Sequence, residues 1–498
     1  MSNTASADKR TTQANDSQAH KPPPTAMYPR RHLFSSFALI LTLCPAAFGQ
    51  DAPKRPNIIY IMLDDAGWGD LGCYGQVKLK TPNMDRLATE GMRFTQHYSG
   101  STVCAPTRSC LMTGQHTGHT PVRGNGNAAD QPERVFPIGE NVTTVASLLQ
   151  GSGYQTGAFG KWGLGGPGST SDALALGFDH FTGFYSQAFA HDFYPRWLWR
   201  DGKKLELDRK QYAHTVYMDD ALQFIADHKD QPFFCYLPVT IPHAAMQAPP
   251  EYHERFRKLY PQFDQVVGKY SGDARTSQVQ NPIAGFAAMM TKMDDDVGTL
   301  LQLLVKLGID EHTIVMLTSD NGPHLEGGHN PKFWNSNGPF QGNKRSLYDG
   351  GIRVPLLARW PGTIAKGSTS DHISAHWDLL PTLCELANVA APKNIDGISM
   401  VATLAGETGQ REHDYLYWEF YESGGKRALR MGKWKAVRNH LRDRPNGPIE
   451  LYDITTDLGE AVNVAAKHPE MIERARRYFA AAHTPDPRWR YRGGRKKK

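Results

Sequence analysis

Asn57-Ile58-Ile59-Tyr60-Ile61-Met62-Leu63, followed at once by Asp64-Asp65, is the stretch that sets the fold class. A continuous apolar run of this length reads as a strand covered on both faces, as in the parallel sheet of an α/β protein. The chain beyond it keeps alternating. Residues 141–149 read as a helix, 155–159 as a strand and 232–239 as another buried strand. Residues 283–307 carry Phe286, Met290, Met293, Val297, Leu301 and Leu304 at helical spacing. Residues 313–317 are a strand ending in Ser319-Asp320-Asn321-Gly322, 354–359 one more strand, and 378–387 a helix. This order predicts a large α/β domain with a mostly parallel central sheet flanked by helices. After residue 400 the texture changes. Residues 415–421, 427–437 and 449–452 read as short strands and 470–482 as a closing helix, which predicts a small C-terminal α+β domain with an antiparallel sheet. The stretches 163–215 and 244–280 lack clear periodicity and read as long functional loops.

Length and composition agree with an enzyme. A chain of 498 residues exceeds one simple core. Its 47 Gly and 33 Pro suit a loop-rich protein and exclude a coiled or fibrous one, and 21% charged residues exclude disorder of the main body. The net charge of +6 comes largely from a basic end, Arg488, Arg490, Arg492, Arg495 and Lys496–Lys498, expected as a solvated tail over 486–498, without nucleic acid as partner. Residues 1–26 are polar and Pro-rich and predict a disordered leader. From Met27 the pattern is that of a secretion signal over 27–49: Arg30, Arg31 and His32, an apolar run 33–43, and Ala47-Phe48-Gly49 before Gln50. The run is short for a bilayer span, so the expectation is an exported protein, periplasmic or secreted, with no membrane anchor in the mature chain. The catalytic domain is then 50–400 and the C-terminal subdomain 401–485. Cys44, Cys73, Cys104, Cys110, Cys235 and Cys384 show neither a disulfide framework nor a zinc pair.

Asp64 and Asp65 adjoin at the end of a buried strand, where two carboxylates repel unless a cation lies between them. Asp320-Asn321 ends a second strand in the same way. Three carboxylates and an amide oxygen form a hard, all-oxygen set suited to Ca²⁺ or Mg²⁺ better than to Zn²⁺. Asp-Asn-Gly is equally an ordinary turn sequence, so the second group gains its meaning from the first.

Cys104-Ala105-Pro106-Thr107-Arg108, followed by Thr113-Gly114, resembles the C-x-P-x-R…T-G signature of the formylglycine-dependent (type I) sulfatases, of the alkaline phosphatase superfamily. The resemblance implies an alkaline-phosphatase-like α/β fold. It also implies that a maturation enzyme converts Cys104 to formylglycine, whose hydrate attacks the sulfur of a sulfate ester. One divalent cation, usually Ca²⁺, would then be held by Asp64, Asp65, Asp320, Asn321 and the modified Cys104. Gly160-Lys161-Trp162 resembles the family's G-K-W-H-L-G segment and gives Lys161 a sulfate-binding role, with Gly163 replacing the usual His. That departure marks a subfamily and leaves open His116, His119, His191, His324 or Lys161 alone in its place. His243 resembles the general acid for the leaving alcohol. Lys344, before Tyr348-Asp349-Gly350-Gly351-Ile352-Arg353, would contact sulfate, with Arg108 holding the hydrate and Asp349 and Arg353 bracing the loop.

Candidate substrate residues are His191, Asp192 and Tyr194, with Trp197 and Trp199 nearby, then His324 and His329 after the metal residues, and Glu419, Tyr421 and Glu422 from the C-terminal domain. The implied substrate is a sulfated carbohydrate, galactose or N-acetylgalactosamine sulfate. Two other readings stay open: a phosphodiesterase or phosphonate monoester hydrolase of the same superfamily, and a catalytically silent glycan-binding homologue.

Overall fold

The computed structural model describes Pro24 and residues 55–126, 131–270 and 278–491. The chain divides into two units, Met1–Ala52 and Pro53–Lys498, and the second is the subject here. The expected leader, the signal segment with Cys44, and residues 492–498 of the basic tail lie outside the described residues.

Asn57–Leu63 is a strand buried along its whole length. Its alternate residues enter two separate cores. Ile59, Ile61 and Leu63 pack with the helices Pro82–Thr89, Ala213–Asp227 and Pro282–Leu307 on one face. Ile58, Tyr60 and Met62 pack with Cys104–Thr113, Val145–Gly151 and Leu379–Leu386 on the other. A strand roofed on both sides cannot alternate polar and apolar residues, which is why its sequence is unbroken.

Ten strands form the sheet, in the order Ser368–Ser370, Met92–Phe94, Leu356–Arg359, Thr313–Ser319, Asn57–Leu63, Phe233–Pro238, Gln155–Lys161, His180–Phe184, Trp197–Arg200 and Lys203–Glu206. The five from Thr313–Ser319 to His180–Phe184 run parallel. Leu63 pairs with Ser319 and Met62 with Pro238, so these strands end level with one another. The residues that follow them, Asp64-Asp65, Asp320-Asn321 and the 239–243 turn, therefore meet at one edge, the usual place for a site in such sheets.

Leu416–Phe420, Lys426–Met431, Trp434–Arg438 and Glu450–Asp453 form an antiparallel sheet. The helix Pro469–Ala481 covers one face through Ala475 and Phe479. Leu416, Trp418, Phe420 and Val437 on the other face pack against Tyr98, Val103 and Trp377 of the large sheet's body.

Several expectations need correction. The 163–215 stretch holds three strands, His180–Phe184, Trp197–Arg200 and Lys203–Glu206, and the start of a helix. Strands this short at a sheet margin carry too few residues to show a period. The 244–280 stretch contains the helix Pro250–Leu259, which opens on Pro at its first position. Residues 427–437 are two strands joined at Gly432 (φ +56°). The helix expected over 141–149 is Val145–Gly151, because Thr144 caps it by accepting from the Ser147 amide at 3.0 Å.

Candidate active site

Cys104 opens the helix Cys104–Thr113, all ten residues of which are buried. Its thiol donates to Asp64 Oδ1 at 3.5 Å. Around it the sheet edge delivers Asp64, Asp65, Asp320 and Asn321, none exposed to solvent. The ligand atoms of Asp64, Asp65, Cys104 and His243 all lie within 4.8 Å of one another.

Three cations neutralise this group. Lys161, the last residue of its strand, places Nζ 2.7 Å from Asp64 Oδ2. Lys344 Nζ is 2.7 Å from Asp65 Oδ2. Arg108, one turn along the helix from Cys104, donates to Asp320 Oδ2 at 3.1 Å and to the Lys161 carbonyl. Asn321 Nδ2 donates to Asp65 Oδ1 at 2.7 Å.

Burial raises Asp64 and Asp65, but the lysines and their neighbours outweigh it, and both stay well below the usual carboxylate range. Asp320 is different. Burial, and then the charge of Asp64, push it up to about 7 even with Arg108 alongside. The Oδ1 of Asn321 is buried without a hydrogen-bond partner. A carboxylate under-compensated by its own protein and an orphaned amide oxygen are what a hard divalent cation would satisfy. The residues present therefore fit such an ion.

His243 follows the strand Phe233–Pro238. Its Nδ1 is 2.5 Å from the Ala244 carbonyl, which places the ring proton there and turns Nε2 to Lys344 Nζ (2.9 Å) and Asp65 (3.2 Å). Burial, then Lys344, hold His243 well below its ordinary range. His191 stacks on it with ring centroids 4.1 Å apart, and His324 lies on a parallel plane 5.5 Å away.

Of the expected substrate residues, His191 and His324 thus join the site, and His329 stacks behind His324 at 4.7 Å. Asp192 is not in the Cys104 cluster; it pairs with Arg209 at 3.0 Å on the wall of another cavity. Tyr194 packs on Tyr212 at 5.3 Å and lines a separate pocket with His253 and Arg257. Glu419 is fully buried and bound by Arg123, Tyr417, Tyr421 and His483, so it is no rim residue. Its position in a continuous strand left it nowhere else to point. Glu422 lies closer to the chemistry: it accepts from the Asn125 amide at 2.8 Å, while Asn125 Oδ1 accepts from the Ala105 amide at 3.0 Å. His116 and His119 bind Asp396 and join no active-site group. Asp349 is held by Lys435, Arg353 and Tyr98 and braces its loop.

Two residues carried no sequence signal. Glu326 lies 3.9 Å from Lys344 and 4.0 Å from His243, anchored by Arg345 at 2.8 Å. Gln187 fills the space beside Gly163: a Cβ there would meet Gln187 Nε2 at 1.7 Å. Neither lies in a motif, and only packing reveals them.

An α/β sheet edge with a buried carboxylate cluster, a helix-opening cysteine and converging lysines defines a hydrolase of the alkaline phosphatase-like superfamily. The family described as Sulfatase matches residues 56–389, and that described as N-sulphoglucosamine sulphohydrolase, C-terminal, matches 339–477. N-acetylgalactosamine-6-sulfatase of Canis lupus familiaris is 32% identical over 425 residues, 81% of this chain and 75% of that protein. Arylsulfatase A of Homo sapiens is 31% identical over 505 residues, 88% of this chain and 89% of its own. The crystal structure of Ps i-CgsB in complex with k-i-k-neocarrahexaose superposes with a TM-score of 0.74 at 26% identity, covering 88% of this chain and 95% of that one. The chain belongs to the sulfatase family of sulfuric ester hydrolases. Among the described residues no helix is long and apolar enough to cross a membrane.

Proposed function

We propose that this enzyme removes sulfate from a glycan sugar, galactose or N-acetylgalactosamine sulfate, with Cys104 matured to formylglycine and one Ca²⁺ held by Asp64, Asp65, Asp320 and Asn321. The observation that carries the reading is Cys104 at the start of a buried helix, 3.5 Å from Asp64 and ringed by Lys161, Arg108 and Lys344. The sugar assignment is supported by the N-acetylgalactosamine-6-sulfatases among its relatives and by the k-i-k-neocarrahexaose in complex with Ps i-CgsB.

The ion would polarise sulfate oxygens and lower the pKa of the attacking hydroxyl. The rest falls to the chain. Lys161 and Lys344 each keep N–H donors beyond those spent on Asp64 and Asp65, and with these they bind the sulfate oxygens. Arg108, fixed by Asp320 and the Lys161 carbonyl, holds the nucleophile's helix against the strand. The proton for the leaving alcohol resides on the Lys344 Nζ–His243 Nε2 pair, with Ala244 holding the imidazole tautomer. Export and cleavage of the 27–49 signal, and a formylglycine-generating partner, belong to the same reading.

Protein from a host with the maturation enzyme should release sulfate from 4-nitrocatechol sulfate and carry an aldehyde on the tryptic peptide spanning Cys104. Cys104→Ala and EDTA treatment should each abolish turnover, and Ca²⁺ should restore only the latter. Faster turnover of phosphate diesters than of sulfate esters, or a plain cysteine in an active preparation, would overturn it.

A further inference from the structure

Two cavities share a wall, and one of them reaches Ala105, the residue after Cys104. One, of about 570 Å³, is lined by Ala105, Asn125, Gly163 and Gln187, and so opens directly on the start of the nucleophile helix. The other, of about 370 Å³, is lined by Glu133, Asp192, Arg196, Trp197, Trp199 and Arg209, with Glu133 accepting from the Trp199 indole at 3.2 Å. Glu133, Ser186, Ala188 and Phe189 belong to both walls. The second cavity takes no part in the chemistry above.

Its construction is specific. Trp197 and Trp199 are two apart on the strand Trp197–Arg200 and project from the same face, while Leu198 between them is fully buried on the opposite one. Both indoles stay half-buried at a cavity wall. Lys204, on the paired strand and outside the cavity lining, covers one face of the Trp197 ring, with Nζ 4.0 Å from its centroid. Arg209 is spoken for by Asp192. Arg196 is exposed at the cavity, and among the described residues no carboxylate pairs with it. Flat aromatic faces accept the C–H side of a pyranose ring, and a guanidinium without a partner recognises a carboxylate or sulfate.

We propose that the Trp197–Trp199 cavity binds the sugar ring adjoining the one that bears the scissile sulfate, and that this second ring carries its own anionic group, held by Arg196. The inference rests on the glycan reading above and extends it: the substrate is an anionic oligosaccharide end, bound across two rings.

The test is calorimetric binding to the Cys104→Ser protein, which needs no turnover. The probes are N-acetylgalactosamine 6-sulfate, the same sugar linked to glucuronate, and the same sugar linked to glucose. One charge-assisted contact corresponds to about a tenfold affinity gain. The glucuronate disaccharide should therefore bind about tenfold tighter than the glucose one, and the glucose one tighter than the monosaccharide. Arg196→Gln should erase the first difference, and Trp197→Ala or Trp199→Ala the second, with monosaccharide affinity unchanged throughout. Equal affinity for all three probes, or variants that weaken all three equally, would overturn the second-ring site and leave the sulfatase reading intact. Binding of none of the three by a protein that hydrolyses 4-nitrocatechol sulfate would remove the N-acetylgalactosamine assignment and this site with it.

Discussion

Gly163 stands at φ +74°, a conformation in which a side chain is strained, and Gln187 already occupies the room a side chain there would need. The Gln187 amide also donates to the Gly163 carbonyl at 3.3 Å, while its Oε1 is buried without a partner. A side chain at position 163 would thus require Gln187, 24 positions along the chain, to move. Neither His191, stacked on His243, nor His324, directed at the Pro242 carbonyl, takes that space. Gly163→His alone should cost about 1–3 kcal/mol from backbone strain, plus the clash. It should lower the Tm and abolish aryl sulfate hydrolysis. Adding Gln187→Gly should recover a measurable part of both, and a double variant no better than the single one would refute the packing account.

At the scale of elements, the strand Gln155–Lys161 illustrates how a local rule places chemistry. Gly160 has φ +132°, and a Cβ on it would meet the Pro238 carbonyl oxygen at 2.2 Å. The absent side chain lets this strand close on Phe233–Pro238 and brings Lys161, its next residue, to Asp64. Gly160→Ala should force the strands apart, with a loss of at least about 1 kcal/mol in urea unfolding. Its kcat for an aryl sulfate should fall further than the stability change explains, since Lys161 moves with the strand. An unchanged kcat would show that Lys161 is placed by other contacts. The parallel strands were legible because burial on two faces leaves an unbroken apolar run. The antiparallel margin from Trp197 to Glu206 was not, since four-residue strands with one exposed face look like loop.

The whole molecule is joined by buried charge. Glu419 of the C-terminal sheet binds Arg123 at 2.9 Å and His483 at 2.8 Å, and its amide donates to Thr117 at 2.7 Å. Lys435 of the same sheet binds Asp349 at 2.7 Å, and Trp418 donates to the Ser99 carbonyl. Burial raises the Glu419 pKa, but His483 and Arg427 win, and it falls from 4.5 to about 2. A depressed carboxylate stabilises the fold fully above its unfolded value and loses that contribution as pH falls through the folded one. The window is therefore about 4.5 down to about 2, and the amount is on the order of 3 kcal/mol. Glu419→Gln should lower stability at neutral pH by that order. It should also flatten the acid limb of a Tm-against-pH curve between those values, and parallel curves for the two proteins would refute the role.

The sequence by itself determined the two-faced central strand and the carboxylate pairs at strand ends, and singled out Cys104, Lys161, His243 and Lys344 as candidates. Each of these is a local pattern: an apolar run, adjacent like charges, or a motif of fixed spacing. The tertiary structure alone decided what Glu419, Asp192 and Tyr194 touch, that Gln187 answers Gly163, and that Glu326 stands behind His243 and Lys344. Those contacts join residues from different strands and loops, and their geometry exists only once the sheet edge has brought them within a few ångströms.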